Sequence, residues 1–586
     1  PFNADLVSWT ALKAVVQIAT QLRMSTIEAQ PAAEVPAAPL SPPLTPAPPP
    51  WLARFDLRLE RIGEWLNPIL VKECRQALKS KQFVITFALV LLCAWLWSIA
   101  GIAMLGPGVY YSFDGPEMFY GYYMILAFPL LVVVPYGAFR SLAGEREDRT
   151  FELLSITTLR PRQIISGKLA SAVVQMLVYF SAVSPCLTFT YMLRGIDVVS
   201  IVFILIYLFA GSLAFSLAAL LLATVSRERH WQTVISLVVV VALCFAFAMS
   251  CAACYEVLRF NFFEIEDRWF WIGHAIAFTA YASYFALFFC AAAAQVTFAS
   301  DNRSTALRVC MLAQHALLAG WIAFGIWESQ LQTSFVPLGV PLVIGVSMAA
   351  VHWAVMGMFL VGESPHLSPR VQRTLPTTSA GRAFLSWFFP GPARGYVFVL
   401  TNLAAAVFMA LGAMLAFEMA FAPAVVGFQG VQFEDLAMLG VLVLGYTAFY
   451  LGLGKLILGA ARRLSVVGAL TSVLVHVLLL LAGCGIPLVI HMMSDVRMSG
   501  YNLLHVFNPF WSITEVVERR GMLYGPSVAS IVATAGLAMF FLNLRGILEE
   551  VRLVRAASPT RVAEEEAARA EVFEQSTQLP RSPWDE

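Results

Sequence analysis

"GEREDRTFELLSITTLRPRQIISGK", residues 144–168, combines dense charge with apolar bulk in a chain otherwise dominated by Leu, Val, Ala and Phe. Glu145, Arg146, Glu147, Asp148, Arg149 and Glu152 open the stretch, and Arg160, Arg162 and Lys168 close it. Phe151, Leu153, Leu154, Ile156 and Leu159 lie between them. The surrounding chain explains why this is unusual. Of 586 residues, 59% are hydrophobic and only 13% charged, and the mean hydropathy is +0.74. A soluble domain carries about a quarter charged residues, so the composition is that of a membrane protein. A net charge of +1 lacks the basic excess of a nucleic-acid binder. The nine cysteines show neither metal-ligand spacing nor a disulfide framework. Cys251 and Cys254 have the spacing of a redox pair, but they end an apolar run and read as packing residues.

Working outward from the stretch, apolar runs long enough to cross about 30 Å of hydrocarbon recur along the chain. They fall at about 83–105, 119–140, 169–193, 199–225, 232–254 and 270–299, then at about 309–327, 336–361, 396–421, 436–459, 464–491 and 526–545. Each must be a helix, because an isolated strand in lipid leaves its backbone groups unpaired. The expected fold is therefore an all-α polytopic membrane protein, with about twelve spans in two groups of six.

Basic residues set the expected orientation. Alternate connections carry Lys72, Arg75, Lys79 and Lys81, the Arg and Lys of the quoted stretch with Arg140, then Arg227 and Arg229. The same side continues with Arg303, Arg308, Arg370, Arg373, Arg382, Arg394, Arg462, Arg463, Arg545, Arg552 and Arg555. The opposite side holds Arg194, Arg259, Arg268, Arg497, Arg519 and Arg520. This bias expects both termini and the quoted stretch in the cytoplasm, and the chain in the cell membrane.

Before the spans, residues 1–66 read as a disordered cytoplasmic segment. Residues 31–50 (PAAEVPAAPLSPPLTPAPPP) are a Pro/Ala tract unable to pack a core. Residues 1–23 lean apolar and form a helix candidate, and no cleavable secretory signal is visible. The chain opens PFNADL, and Met24 is followed by the polar STIEAQ, so translation is expected to start at Met24 or the chain is a fragment. "NPILVKECRQALKSK", residues 67–81, then reads as a helix capped by Asn67 with Pro68 in its first turn. Ile69, Leu70, Cys74, Ala77 and Leu78 share one face and Lys72, Arg75 and Lys79 another. Such a helix suits the membrane interface, with its cations toward headgroup phosphates.

With these elements in place, the pattern ExExxTxELLxxTxLxxxxIIxGK resembles the signature between the second and third helices of type-2 ABC exporter permeases. The matching residues are Glu145, Arg146, Glu147, Thr150, Glu152, Leu153, Leu154, Thr157, Leu159, Ile164, Gly167 and Lys168. Arg149 stands where that family has Gly, and Thr158 where it has Pro. The resemblance covers residues 67–299 as a permease domain. It implies that 144–168 is a coupling loop docked on a separate cytosolic ATPase subunit, through Glu145, Arg146, Glu147, Thr150, Phe151, Glu152, Leu153, Leu154, Leu159, Gly167 and Lys168. ATP would be bound by that partner, and no cofactor or metal by this chain. It further implies an assembly as a homodimer or heterodimer among membrane lipid. In agreement, no GxxxxGK[ST] phosphate loop occurs, since GLGKL at 452–456 lacks the leading Gly and lies in a span.

Residues 300–545 form a second six-span domain and 546–586 a charged cytoplasmic tail. Its loop 362–395 occupies the corresponding place but lacks the acidic motif, and Trp387, Phe388, Phe389 and Arg394 read there as an interfacial anchor. FNPFWSITEVVERR, 507–520, reads as a short hairpin or helix at the opposite side. Inside the spans, His315, His352 and His476 are the ionisable candidates, with Glu418 and Lys455 near span ends and Lys455 expected to snorkel. Two other classes stay open: a polytopic enzyme acting on lipid or glycan, and a non-transporting scaffold.

Overall fold

A backbone in hydrocarbon has no water to bond, so each apolar run must pair its own amides in a helix. In the computed structural model the described residues run from 67 to 571, leaving out 106–114, 149–158, 225–228, 261–264, 299, 332–337, 422–430, 465–466, 494–500, 502, 519–524, 554, 557–559, 562–563 and 566. The opening segment 1–66 and most of the tail thus lie outside them. Twelve helices are long and apolar enough to cross a membrane, and no strand occurs among the described residues. The chain is an all-α, multi-pass membrane protein, and each expected span corresponds to one helix.

A short helix α1 (Pro68–Leu78) comes first, followed by α2 (Lys81–Leu105), α3 (Gly115–Glu147), α4 (Pro161–Met192), α5 (Val198–Ala223), α6 (Arg229–Phe260) and α7 (Arg268–Val296). After 297–304 come α8 (Thr305–Leu331) and α9 (Gly339–Leu360). Two short helices, α10 (Pro369–Arg373) and α11 (Ser379–Leu385), then precede α12 (Pro392–Phe421), α13 (Phe433–Ala461) and α14 (Ala469–Met493). Helix α15 (Pro509–Glu518) and the last span, α16 (Gly525–Val551), complete the series.

Two helices are enclosed by the others. The most apolar stretch of α3 is 72% buried and that of α13 61%, against 11% for α2, α7 and α14. Around α3 pack α2, α4, α5 and α6, while α9, α12, α14, α15 and α16 pack around α13. The principal join between these sets is α7 against α8. Helix α3 contains a π-turn at Pro129–Val133, where Pro129 cannot donate a backbone hydrogen bond. Ser212 of α5 donates to the Leu130 carbonyl there at 2.5 Å, so the distortion is matched by a polar contact from its neighbour. Around α13, contact with α16 depends on paired glycines: a Cβ on Gly536 would stand 2.7 Å from the Gly445 carbonyl oxygen. Only glycine lets two backbones come so near.

The quoted stretch is framed by helix on both sides. Helix α3 continues through the acidic residues to Glu147, and α4 begins at Pro161, leaving 148–160 as the connection. The expected N-terminal turn of α4 is present: Pro161 stands first, and the Gln163 side chain accepts from the Arg160 amide at 2.8 Å. Residues 149–158, with Thr150, Phe151, Glu152, Leu153 and Leu154, lie outside the described residues.

Candidate functional site

Helix α1 is capped as its sequence requires, the Asn67 side chain accepting from the Ile69 amide at 3.1 Å with Pro68 in the first turn. The same side chain also donates to the Gln163 carbonyl of α4 at 2.5 Å. This cap therefore fixes both the start of α1 and its place on α4. Gly167 makes the seat: a Cβ there would lie 2.8 Å from Cβ of Ile69. Ile69 is 4% exposed and packs with Ile164, Ile165 and Leu142. The apolar face of α1 is thus turned, at Ile69, onto protein. Arg75 and Lys79 remain exposed, with Lys72, along an open depression of about 580 Å³.

Beneath α1 lies a ring of alternating charge. The Lys168 side chain is 1% exposed, with Nζ 2.8 Å from Oε1 of Glu73 and 3.1 Å from Oε2 of Glu145. It also donates to the Ser141 carbonyl at 3.3 Å. Glu145 takes a second cation on its other oxygen, Lys72 Nζ at 3.0 Å, and Lys72 stands 3.9 Å from Glu73. Burial would lower the Lys72 ammonium, but its hydrogen bond to Glu145 and the charges of Glu145 and Glu73 leave its pKa raised. Two cations and two anions close on one another, so no net charge is buried. The ring joins α1, the end of α3 and the start of α4.

Of the residues expected to dock a partner, Lys168 and Gly167 are thereby turned inward, and Glu145 is paired between two lysines. Arg146 reaches the other way and donates to the Thr224 carbonyl at the end of α5, 2.7 Å away. A basic side chain is favourable at such a helix C-terminus. Glu147 lies 4.0 Å from Arg140 in a half-exposed pair, and Leu159 packs against the buried cluster that includes Leu142 and Ile164. Asp148, Arg160 and Arg162 are exposed.

Glu73 was not singled out by sequence reasoning, yet it closes the ring. Its signal was there: spacing of four residues places it with Ile69 and Ala77, an acid on the apolar face of α1.

The second helix set has its own buried charges. Arg308 of α8 is fully buried; Nη2 is 2.5 Å from Oε2 of Glu363, Nε donates to Ser304 at 2.8 Å, and Nη1 reaches the Trp387 carbonyl. Glu363 also accepts from the Gly391 amide at 2.8 Å, where φ of +147° favours glycine. Glu550 of α16 caps α12, accepting from the amides of Ala393 and Arg394 at 3.1 and 2.9 Å. Arg462 donates to the Glu363 carbonyl at 2.7 Å, and burial, opposed by the charge of Glu550, holds its pKa low. The residues read as an interfacial anchor behave differently: Arg394 is buried on Glu550, and Trp387 and Phe388 are half-buried beside α12. The Arg394 guanidinium thus serves internal bonding, its carbonyl partners on Pro390 and Glu550 lying inside the protein.

Lys455 bonds Asn543 at 3.0 Å instead of snorkelling. His315 and His352 come together, with ring centroids 6.5 Å apart, and His476 bonds the Ser472 carbonyl at 2.7 Å. Among the described residues no group of three or more His, Cys, Asp or Glu could hold a metal. No family model, no curated protein and no solved structure matches the chain.

Proposed function

We propose that this chain is the membrane-spanning permease subunit of an ATP-driven type-2 ABC exporter, with ATP hydrolysed on a separate cytosolic subunit that docks on the connection 148–160. Both termini and the connection then face the cytosol of the cell carrying the protein in its cell membrane. A second permease chain, identical or related, completes the assembly. Phe151, Leu153 and Leu154 are the apolar anchors, and Thr150 and Glu152 accompany them in the same segment. Glu147, Asp148, Arg160 and Arg162 form the polar rim expected around such an anchor. Lys168, Gly167 and Glu145 act from beneath as positioning residues.

The observation that supports this reading most is the ring of Lys72, Glu73, Glu145 and Lys168. It ties both helices flanking the connection to α1, so a load on the connection reaches the enclosed helix α3 and its neighbour α4 together. A solvated linker has no need of such a base.

Leu154→Asp tests the docking role. Burying one unpaired carboxylate in a groove costs several kcal/mol, against about 8 kcal/mol for a micromolar contact, so binding should fall by orders of magnitude. Pull-down of a co-expressed ATPase should fail with Leu154→Asp, while Glu147→Ala should cost about 1 kcal/mol. Retention of the ATPase by Leu154→Asp would reduce the connection to a linker. ATP-stimulated flux in proteoliposomes separates a transporter from an enzyme or a scaffold.

A further inference from the structure

The seam between α7 and α8 carries two thiols. Cys290 stands six residues before the end of α7, and Cys310 five residues after the start of α8. At about 1.5 Å of rise per residue, both lie roughly 8–9 Å inside the same end of this helical hairpin. Their sulfurs are 3.8 Å apart, in contact but not bonded. All nine cysteines of the chain are free.

Its place in the fold gives the pair consequence. Leu287, one turn before Cys290, is 5% exposed and packs with Met311 and Trp353. Met311 directly follows Cys310. The thiols therefore flank the point where α7 enters the core of the second helix set, at the principal join between the two sets.

We propose that Cys290 and Cys310 are an oxidation-sensitive pair that closes to a disulfide and fixes α7 to α8, with a membrane-borne hydroperoxide as the oxidant. A disulfide needs the sulfurs at about 2.05 Å, so they must approach by less than 2 Å. Both residues are only partly buried. Both thiols lie on membrane-spanning helices and are partly exposed, so a hydroperoxide carried on an acyl chain reaches them. One cysteine sulfur attacks the distal oxygen of the hydroperoxide, the O–O bond breaks, and the alcohol leaves with the thiol proton. The resulting sulfenic acid is attacked by the second sulfur, the S–O bond breaks, and water leaves. A thiol reductant reverses the lock: its thiolate attacks one sulfur and breaks the S–S bond, and a second thiol resolves the mixed disulfide and leaves oxidised with it. Closed, it holds the two helix sets in one relative arrangement.

The test uses the full chain in lipid nanodiscs, treated with cumene hydroperoxide as a membrane-partitioning probe and then with N-ethylmaleimide. Peptide mass spectrometry should find the Cys290 and Cys310 peptides joined with the loss of two hydrogens, and dithiothreitol should separate them. Cys290→Ser and Cys310→Ser should each abolish the joined species. A protease site inserted within 297–304 supplies a second readout: after cleavage the two fragments should stay together on a non-reducing gel only when oxidised. Recovery of both cysteines alkylated, or singly over-oxidised, at doses that oxidise the exposed Cys244 would overturn the proposal. So would an undiminished fragment link in Cys310→Ser.

Discussion

Replacing Lys168 by Met should destabilise the protein far more than its single lost charge suggests. The ammonium is 1% exposed and sits 2.8 and 3.1 Å from two carboxylates. At an effective dielectric near 20 those contacts are worth about 6 and about 5 kcal/mol. Desolvating the three groups offsets much of this, which is why intact buried pairs contribute little net stability. Removing one member leaves the others stranded, and the expected loss is about 3–5 kcal/mol. Glu145 keeps Lys72 at 3.0 Å, whereas Glu73 keeps it only at 3.9 Å. The stranded charge is therefore mainly Glu73. Adding Glu73→Gln to Lys168→Met should return about 0.5–3 kcal/mol, the range for residues sharing one network. Unfolding in mixed micelles by SDS titration, run on wild type, both single variants and the double variant, gives the coupling energy directly. A loss below about 1 kcal/mol for Lys168→Met, or additive single effects, would refute the buried-ring argument.

Three further outcomes are expected. Gly167→Val puts atoms where Ile69 now lies, should cost about 1–3 kcal/mol by the same unfolding assay, and should be relieved by Ile69→Ala; equal stability of Gly167→Val and wild type would show that α1 is not seated there. Under the proposed orientation, a cysteine at the exposed Ser364 should resist an impermeant thiol reagent in intact cells and one at the exposed Glu266 should react; the reverse pattern would place the connection 148–160 outside. His505 has its pKa lowered by burial and by the neighbouring His491, so the folded state holds it neutral. Its stabilising contribution is complete above the unfolded value of about 6.5 and is lost as pH falls through the lower folded value. Thermal unfolding at pH 7.5 and 5 should therefore show a smaller acid loss for His505→Phe than for wild type, and equal losses would remove His505 from the account.

Helix content and number were legible in the sequence because the bilayer leaves a long apolar run no alternative to a helix. The capping of α1 by Asn67 and Pro68 and the start of α4 at Pro161 were legible for a related reason, since they depend on residues adjacent in sequence. What could not be read was the partner of each charge. Lys168 and Arg308 were counted among the cations on one side of the membrane, yet both are buried. Their partners, Glu73 and Glu363, lie 95 and 55 residues away. Arg394 reads as an anchor, yet its guanidinium donates to the backbone carbonyl of Glu550, 156 residues away. Hydropathy reports how often a residue type prefers water, and a buried ion pair is the case where two such preferences cancel. That cancellation depends on distances of about 3 Å between remote segments. The amino-acid sequence determined that this is an all-helical membrane protein with about twelve spans; the tertiary structure alone decided which of its charges face water and which hold helices together.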